Sequence, residues 1–185
     1  PNYFEPEIYG STIGIIGMGS IGIEIAKRAH SFGTKVIGHR RSQKAENFFD
    51  EIYVGEEGLN TLLKESDYVI LAVPLNEGTR DLIDYDKLSL MKKNAILINI
   101  ARGEVVVQDD LVMALQESLI RGAALDVMVP EPLPANNPLW KMDNVYITPH
   151  CSASSNLFVN RLIWLLEENL QKYLNNEELR NIINE

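Results

Sequence analysis

Side chains of complementary chemistry stand at or just after the ends of apolar runs rich in Ile, Val and Ala: Arg102 after residues 95–100, Asp126 at the end of residues 123–127 with Glu131 after them, and His150 after residues 145–148. A guanidinium binds a carboxylate through two parallel hydrogen bonds and polarises a neighbouring carbonyl. An imidazole exchanges a proton with a reacting oxygen near neutral pH. A carboxylate beside that imidazole orients it and favours its charged form. Cation, carboxylate and imidazole together suit reversible reduction of a carbonyl that sits next to a carboxylate. That reaction also needs a hydride, which side chains do not supply.

A glycine pattern points to the hydride donor. Gly17-Met18-Gly19-Ser20-Ile21-Gly22 lies between an apolar run, residues 12–16, and a helical pattern that begins at Ile21. In a dinucleotide-binding turn the first glycine permits the tight bend, the second lets the backbone approach a pyrophosphate, and the third lets the helix lie close to its strand. The helix N-terminus then faces the phosphates. Eighteen residues after Gly22, where an NAD-selective fold carries a carboxylate for the ribose 2′-hydroxyl, stand Arg40, Arg41 and Ser42. Glu46 and Asp50 follow too late to replace that carboxylate comfortably. The expected cofactor is therefore NADP, with NAD second.

Apolar runs at residues 13–16, 36–37, 68–73, 95–100, 123–127 and 145–148 read as buried strands. Helix-period stretches lie between them. Ile21, Ile25 and Ala29 share one face, as do Leu111, Leu115 and Leu119, and Asp109 and Asp110 favour the start of the second helix. This alternation predicts an α/β fold: a doubly wound, three-layer Rossmann sheet, which binds ligands beyond the carboxyl ends of its strands. The polar residues named above stand at those ends, as do Pro74 and Thr79. Pro130, Pro132, Pro134 and Pro138, with Asn136 and Asn137, mark one extended loop.

Residues 1–155 are expected to form the dinucleotide-binding domain. Residues 156–185, with Leu157, Phe158, Leu162, Leu165, Leu166 and Leu170 spread over a wide helical arc, read as a helix and tail that cross to a second lobe. At 185 residues and 45% hydrophobic content, the chain suffices for one well-buried domain and an appendage. The net charge of −9 argues against nucleic acid and anionic membranes as partners. No apolar run approaches the ~20 residues that span a bilayer. One cysteine, Cys151, cannot staple the fold, and no signal-peptide pattern opens the chain, so a cytoplasmic location is expected. Adjacent residues of an extended segment point opposite ways, which disfavours a Cys151–His150 nucleophilic dyad. His30, His39 and His150 are scattered, and no metal site is expected. Trp140 and Met142 read as loop packing.

From about residue 10 to residue 173 the chain resembles the D-isomer-specific 2-hydroxyacid dehydrogenases. The resemblance is carried by Gly17 to Gly22, Val73-Pro74-Leu75 with Thr79-Arg80, Asn99-Ile100-Ala101-Arg102-Gly103, Ala124-Leu125-Asp126-Val127, Pro130-Glu131-Pro132-Leu133, Asn137-Pro138-Leu139-Trp140 and Thr148-Pro149-His150. It implies that Arg102 binds substrate, that Glu131 and His150 form the acid/base pair, and that Asp126 contacts the nicotinamide carboxamide. It further implies that Ser20 and Ile21 contact the pyrophosphate, that Val73 and Pro74 line the adenosine and ribose region, and that Ile100 and Ala101 lie near the nicotinamide. The implied reaction moves a hydride between NADP(H) and a small D-2-hydroxy acid/2-oxo acid pair such as glyoxylate or hydroxypyruvate, in a homodimer. Glu131, where formate-oxidising members carry glutamine, argues against formate.

The chain departs from the family pattern in three places. Arg40 replaces the usual aspartate, and Cys151-Ser152-Ala153 stands where a glycine-containing sequence is common. Members also carry roughly a hundred residues before the nucleotide-binding lobe, whereas about ten precede the first strand here. The chain therefore reads as a piece of a longer polypeptide, competent to bind cofactor and lacking most of the substrate lobe. The alternative reading is a nucleotide-sensing or corepressor-like module that keeps the fold without turnover.

Overall fold

The computed structural model describes residues 7–182. They divide after His150 into two compact units. The first is a sheet of seven parallel strands: β1 (Thr12–Ile16), β2 (Lys35–His39), β3 (Glu51–Tyr53), β4 (Tyr68–Leu71), β5 (Ile96–Asn99), β6 (Gly122–Leu125) and β7 (Val145–Ile147). Their spatial order is β3-β2-β1-β4-β5-β6-β7. The chain leaves β1 toward one edge and returns to its other side at β4. The order reverses between β1 and β4, so a crevice opens beyond their carboxyl ends. This is the doubly wound fold expected from the alternation of strand and helix.

Four helices connect the strands: α1 (Ser20–Ser31), α2 (Gly55–Glu65), α3 (Tyr85–Leu90) and α4 (Gln108–Gln116). Side chains alternate across a strand, and the sheet sorts its apolar residues accordingly. Ile13, Ile15, Val36 and Ile70 meet Ala26 and Ala29 of α1. Ile16, Ile37, Val69, Leu71 and Leu97 face a larger core with Leu59, Leu62 and Leu63 of α2, Leu88 of α3, and Leu111 and Leu115 of α4. Burying each such side chain contributes about 1.5–3 kcal/mol relative to exposure, which is why nearly continuous apolar runs mark strands covered on both faces.

Several elements differ from the sequence expectation. β3, α2 and α3 were not anticipated. β3 has three residues, of which Glu51 is exposed, and α3 has six. The runs through Val73, Ile100 and Val127 leave the sheet early, because the ladder from β1 to β4 ends at the Ile16–Leu71 pair and that from β5 to β6 at Asn99–Leu125. Ile21 is 60% exposed. The inward stripe of α1 is Gly22, Ala26 and Ala29, small residues that allow close approach. Leu119 lies beyond α4, whose end is marked by Ser118 at φ +57°.

Asp67 joins the start of β1 to the turn before β4. Its carboxylate accepts the Thr12 backbone N–H at 2.9 Å and the Lys92 ammonium at 2.8 Å. Burial pushes the Asp67 carboxyl up, but the bonds from Lys92 and Thr12 outweigh it and hold the group below its ordinary value. A depressed carboxylate contributes stability above its unfolded value, and that contribution disappears as pH falls through the folded value. Asp67→Asn is expected to cost about 1–2 kcal/mol at pH 7. Urea melts repeated at decreasing pH should show this deficit shrinking below the usual carboxylate range; a constant deficit would assign it to packing.

The second unit holds α5 (Phe158–Leu174). None of its residues is buried, and Phe158, Leu162, Trp164, Leu166 and Leu170 are exposed. Among the described residues no helix is long and apolar enough to cross a membrane.

Candidate active site

A cleft of about 500 Å³ occupies the crevice at the sheet's reversal point. It is lined by Gly17, Met18 and Gly19 after β1, by Arg40, Arg41 and Ser42 after β2, and by Val73, Pro74 and Thr79 after β4. Gly17 has φ +104°, and a Cβ there would lie 2.5 Å from the Ala72 carbonyl oxygen. A Cβ at Gly22 would lie 2.0 Å from the Gly17 carbonyl oxygen, so the start of α1 rests directly on the turn. Gly19 differs from both. Its φ is −81°, and a Cβ there would meet nothing within 4 Å. Nothing within the described protein requires glycine at 19.

No acidic residue and no side-chain cap occupies the first turn of α1, although Glu56 and Glu57 start α2 and Asp109 and Asp110 start α4. The unpaired N–H groups and positive dipole end of α1 therefore remain available to an anion. Ser20 and Ile21 stand in that turn, both exposed, while Gly22 is buried. Thr79 Oγ1 donates to the Pro74 carbonyl at 2.6 Å and accepts from the Asn76 N–H at 2.9 Å, which braces the wall after β4. The backbone N–H of Arg40 donates to the Tyr53 carbonyl at 3.1 Å, so the short β3 anchors the arginine-bearing segment. Arg40 Nη1 is shielded from solvent and makes no hydrogen bond. A bare donor anchored in a cleft beside a glycine turn fits the phosphate-bearing nucleotide half of a nicotinamide cofactor.

A second cleft, of about 230 Å³, is lined by Arg102, Glu131 and His150 together with Gly103, Met128 and Val129. The fold thus brings the arginine, carboxylate and imidazole expected from the sequence around one space. Glu131 Oε2 lies 2.8 Å from His150 Nδ1, and Glu131 Oε1 accepts the Met128 N–H at 3.0 Å. Burial pushes the Glu131 carboxyl up, but hydrogen bonding to His150 and Met128 and the charges of His150 and Arg102 hold it below its ordinary value. Glu131 is therefore a carboxylate at neutral pH, and the acceptor on Nδ1 favours the imidazole form with its proton there. His150 has φ +50°, in the left-handed region, and its N–H bonds the Thr148 carbonyl at 3.0 Å.

Arg102 is seated by a residue not singled out from the sequence. Buried Asn99 accepts the Ala101 N–H and donates to the Arg102 carbonyl, each at 3.0 Å, closing the turn after β5. The Arg102 guanidinium rests on the Ala101 carbonyl at 2.6 Å. Gln108, at the start of α4, makes two bonds to Val129: its Nε2 donates to the Val129 carbonyl and its Oε1 accepts the Val129 N–H. These bonds tether the loop that carries Glu131. Ala101 is buried, and Ile100 packs under the sheet with the α1 core.

Asp126 is 4% exposed, and its Oδ1 accepts the Thr148 hydroxyl at 2.6 Å. Glu131, rather than Asp126, holds the His150 ring. A third cleft, about 530 Å³ and mostly apolar, joins Glu131 and His150 to Met128, Leu133, Trp140 and Ile147. Trp140 is thus both loop packing, through its Nε1 bond to the Pro134 carbonyl, and a wall of the space beside the imidazole. Among the described residues no group of three or more His, Cys, Asp or Glu side chains is placed to hold a metal ion.

A family model described as D-isomer specific 2-hydroxyacid dehydrogenase, NAD binding domain, matches residues 1–152. A glyoxylate reductase of Pyrococcus horikoshii is 50% identical over 149 residues, covering 80% of this chain and 44% of that protein. A D-isomer specific 2-hydroxyacid dehydrogenase of Xanthobacter autotrophicus, solved in complex with NADPH, superposes with a TM-score of 0.90 at 32% identity, over 99% of this chain and 75% of that one. An NADPH-dependent glyoxylate/hydroxypyruvate reductase of Sinorhizobium meliloti, solved with NADP and sulfate, gives a TM-score of 0.90 at 31% identity, over 100% of this chain and 58% of that one. The chain spans about half the length of the curated relatives it matches.

Proposed function

The chain belongs to the D-isomer-specific 2-hydroxyacid dehydrogenase family, as its nucleotide-binding lobe, and from that premise we propose that it forms the cofactor half of an NADP(H)-dependent reductase of small 2-oxo acids. The observation that carries this reading is the meeting of Arg102, Glu131 and His150 around one cleft.

When bound, the nicotinamide cofactor supplies the hydride. Ser20 and Ile21 at the start of α1 meet the pyrophosphate. Val73, Pro74 and Thr79 line the adenosine and ribose region, Ile100, Ala101 and Asp126 border the nicotinamide, and Arg40 with Arg41 and Ser42 holds the 2′-phosphate. Arg102 binds the substrate carboxylate and draws electron density from the adjacent carbonyl. His150 delivers a proton from Nε2 to the carbonyl oxygen as that oxygen becomes a hydroxyl, and takes it back in the reverse direction. Glu131, held by the Met128 N–H, keeps the ring aimed through its 2.8 Å contact with Nδ1. In this reading residues 1–155 are the dinucleotide-binding domain, and the helix within residues 156–185 packs its apolar arc against a substrate lobe.

The test is consumption of NADPH by the full-length protein in the presence of glyoxylate or hydroxypyruvate. Turnover is expected with NADPH preferred over NADH, and the isolated 185-residue chain is expected to bind NADPH without turning over. No turnover of any small 2-oxo acid by the full-length protein, with NADPH altering its association with a partner, would replace the enzyme reading by the sensor reading.

A further inference from the structure

The segment after β2 carries a carboxylate where the cofactor reading leaves room only for cations. Glu46 Oε2 lies 3.9 Å from Arg40 Nη1. The other Glu46 oxygen accepts the backbone N–H of Asn47 at 3.3 Å. Asp50 points elsewhere and caps the opposite end of β2, accepting the Val36 N–H at 2.7 Å. The two partners expose only 22% and 23% of their side chains, so their attraction is screened less than that of a surface pair. At 3.9 Å it is an ion pair without a hydrogen bond, and Nη1 remains a bare donor.

We propose that Glu46 sets cofactor discrimination by competing for Arg40 with the 2′-phosphate. This inference rests on the reading of Arg40 as the 2′-phosphate ligand. In the protein without cofactor, Glu46 neutralises Arg40. A 2′-phosphate brings charge-assisted hydrogen bonds that Nη1 lacks, takes over the guanidinium, and is repelled by the carboxylate that stays beside it. A 2′-hydroxyl carries no charge and does not enter this competition. Glu46 therefore lowers affinity for the phosphorylated cofactor selectively, moderating a preference that Arg40 creates.

Dissociation constants of the full-length protein for NADPH and NADH, from calorimetric titration, test this. Glu46→Gln is expected to tighten NADPH about fivefold, a factor set by the worth of one partly screened ion pair, and to leave NADH unchanged. Arg40→Ala is expected to weaken NADPH and to remove the effect of a second Glu46→Gln change. If Glu46→Gln alters neither constant while Arg40→Ala still weakens NADPH, the competition is overturned and the 2′-phosphate reading survives. Weakening of NADH by Glu46→Gln would overturn it too, by making Glu46 the acceptor of the ribose hydroxyl. If Arg40→Ala leaves both constants unchanged, the 2′-phosphate reading itself fails.

Discussion

His150→Asn in the full-length protein is expected to lower kcat for NADPH-dependent reduction of glyoxylate or hydroxypyruvate by about 10²- to 10⁴-fold, the range for loss of a general acid/base, with the NADPH dissociation constant unchanged. Asparagine is chosen because the backbone at 150 has φ +50°, a conformation that Asn adopts far more readily than Ala. The turn held by the bond from the 150 N–H to the Thr148 carbonyl therefore survives, and only the imidazole is lost. Glu131 keeps its bond from the Met128 N–H. Unchanged kcat would remove His150 from the chemistry, and a parallel loss of NADPH binding would show that the substitution disturbed the lobe.

Gly22→Ala is expected to weaken NADPH binding by about 10²-fold, on the scale of an ångström-sized misplacement of binding groups, and to destabilise the fold by about 1–3 kcal/mol. The added Cβ would lie 2.0 Å from the Gly17 carbonyl oxygen. That oxygen is backbone, and the Gly17 Cα in turn abuts the end of β4, so neither side yields cheaply. The first turn of α1 would have to tilt away and carry its unpaired N–H groups off the cleft. Gly19→Ala provides the contrast. It meets no protein atom within 4 Å, so it is expected to spare stability while weakening cofactor binding. Thermal melts with and without NADPH separate the two effects, and a Gly22→Ala protein that binds NADPH normally would rule out the seating of α1 as the reason for this glycine.

Much of the site was legible because its signals are local. A glycine at each of three spacings, an arginine at a strand end and a histidine after the last strand are all read within a few residues. The positioning groups were not legible. Gln108 is a polar residue with no periodicity or motif of its own, and its role comes from facing Val129 once α4 and β6 are assembled. Asn99 stands in a motif whose residues do not by themselves tell that it closes the turn onto Ala101 and Arg102. Trp140 became a wall of the cleft for the same reason. Leu59, Leu62 and Leu63 do carry helical spacing, so α2 could have been read; Gly55 and Gly58 at its start obscured it.

The sequence by itself determined the strand and helix alternation, the dinucleotide turn and the residues available for acid/base and anion chemistry, since apolar periodicity and glycine spacing express the conformations of neighbouring residues. Only the tertiary structure decided that Glu131 meets His150 at Nδ1, how Gln108 tethers the loop that carries Glu131, and that Glu46 reaches Arg40. The first two depend on strand order and register, which set the segments after β5, β6 and β7 side by side, and the last on the path of the segment after β2. Glu131 is 19 residues from His150, closer in sequence than Asp126, yet both follow the same strand. What separates them is that Asp126 turns inward to Thr148 while the tethered loop carries Glu131 back to the ring.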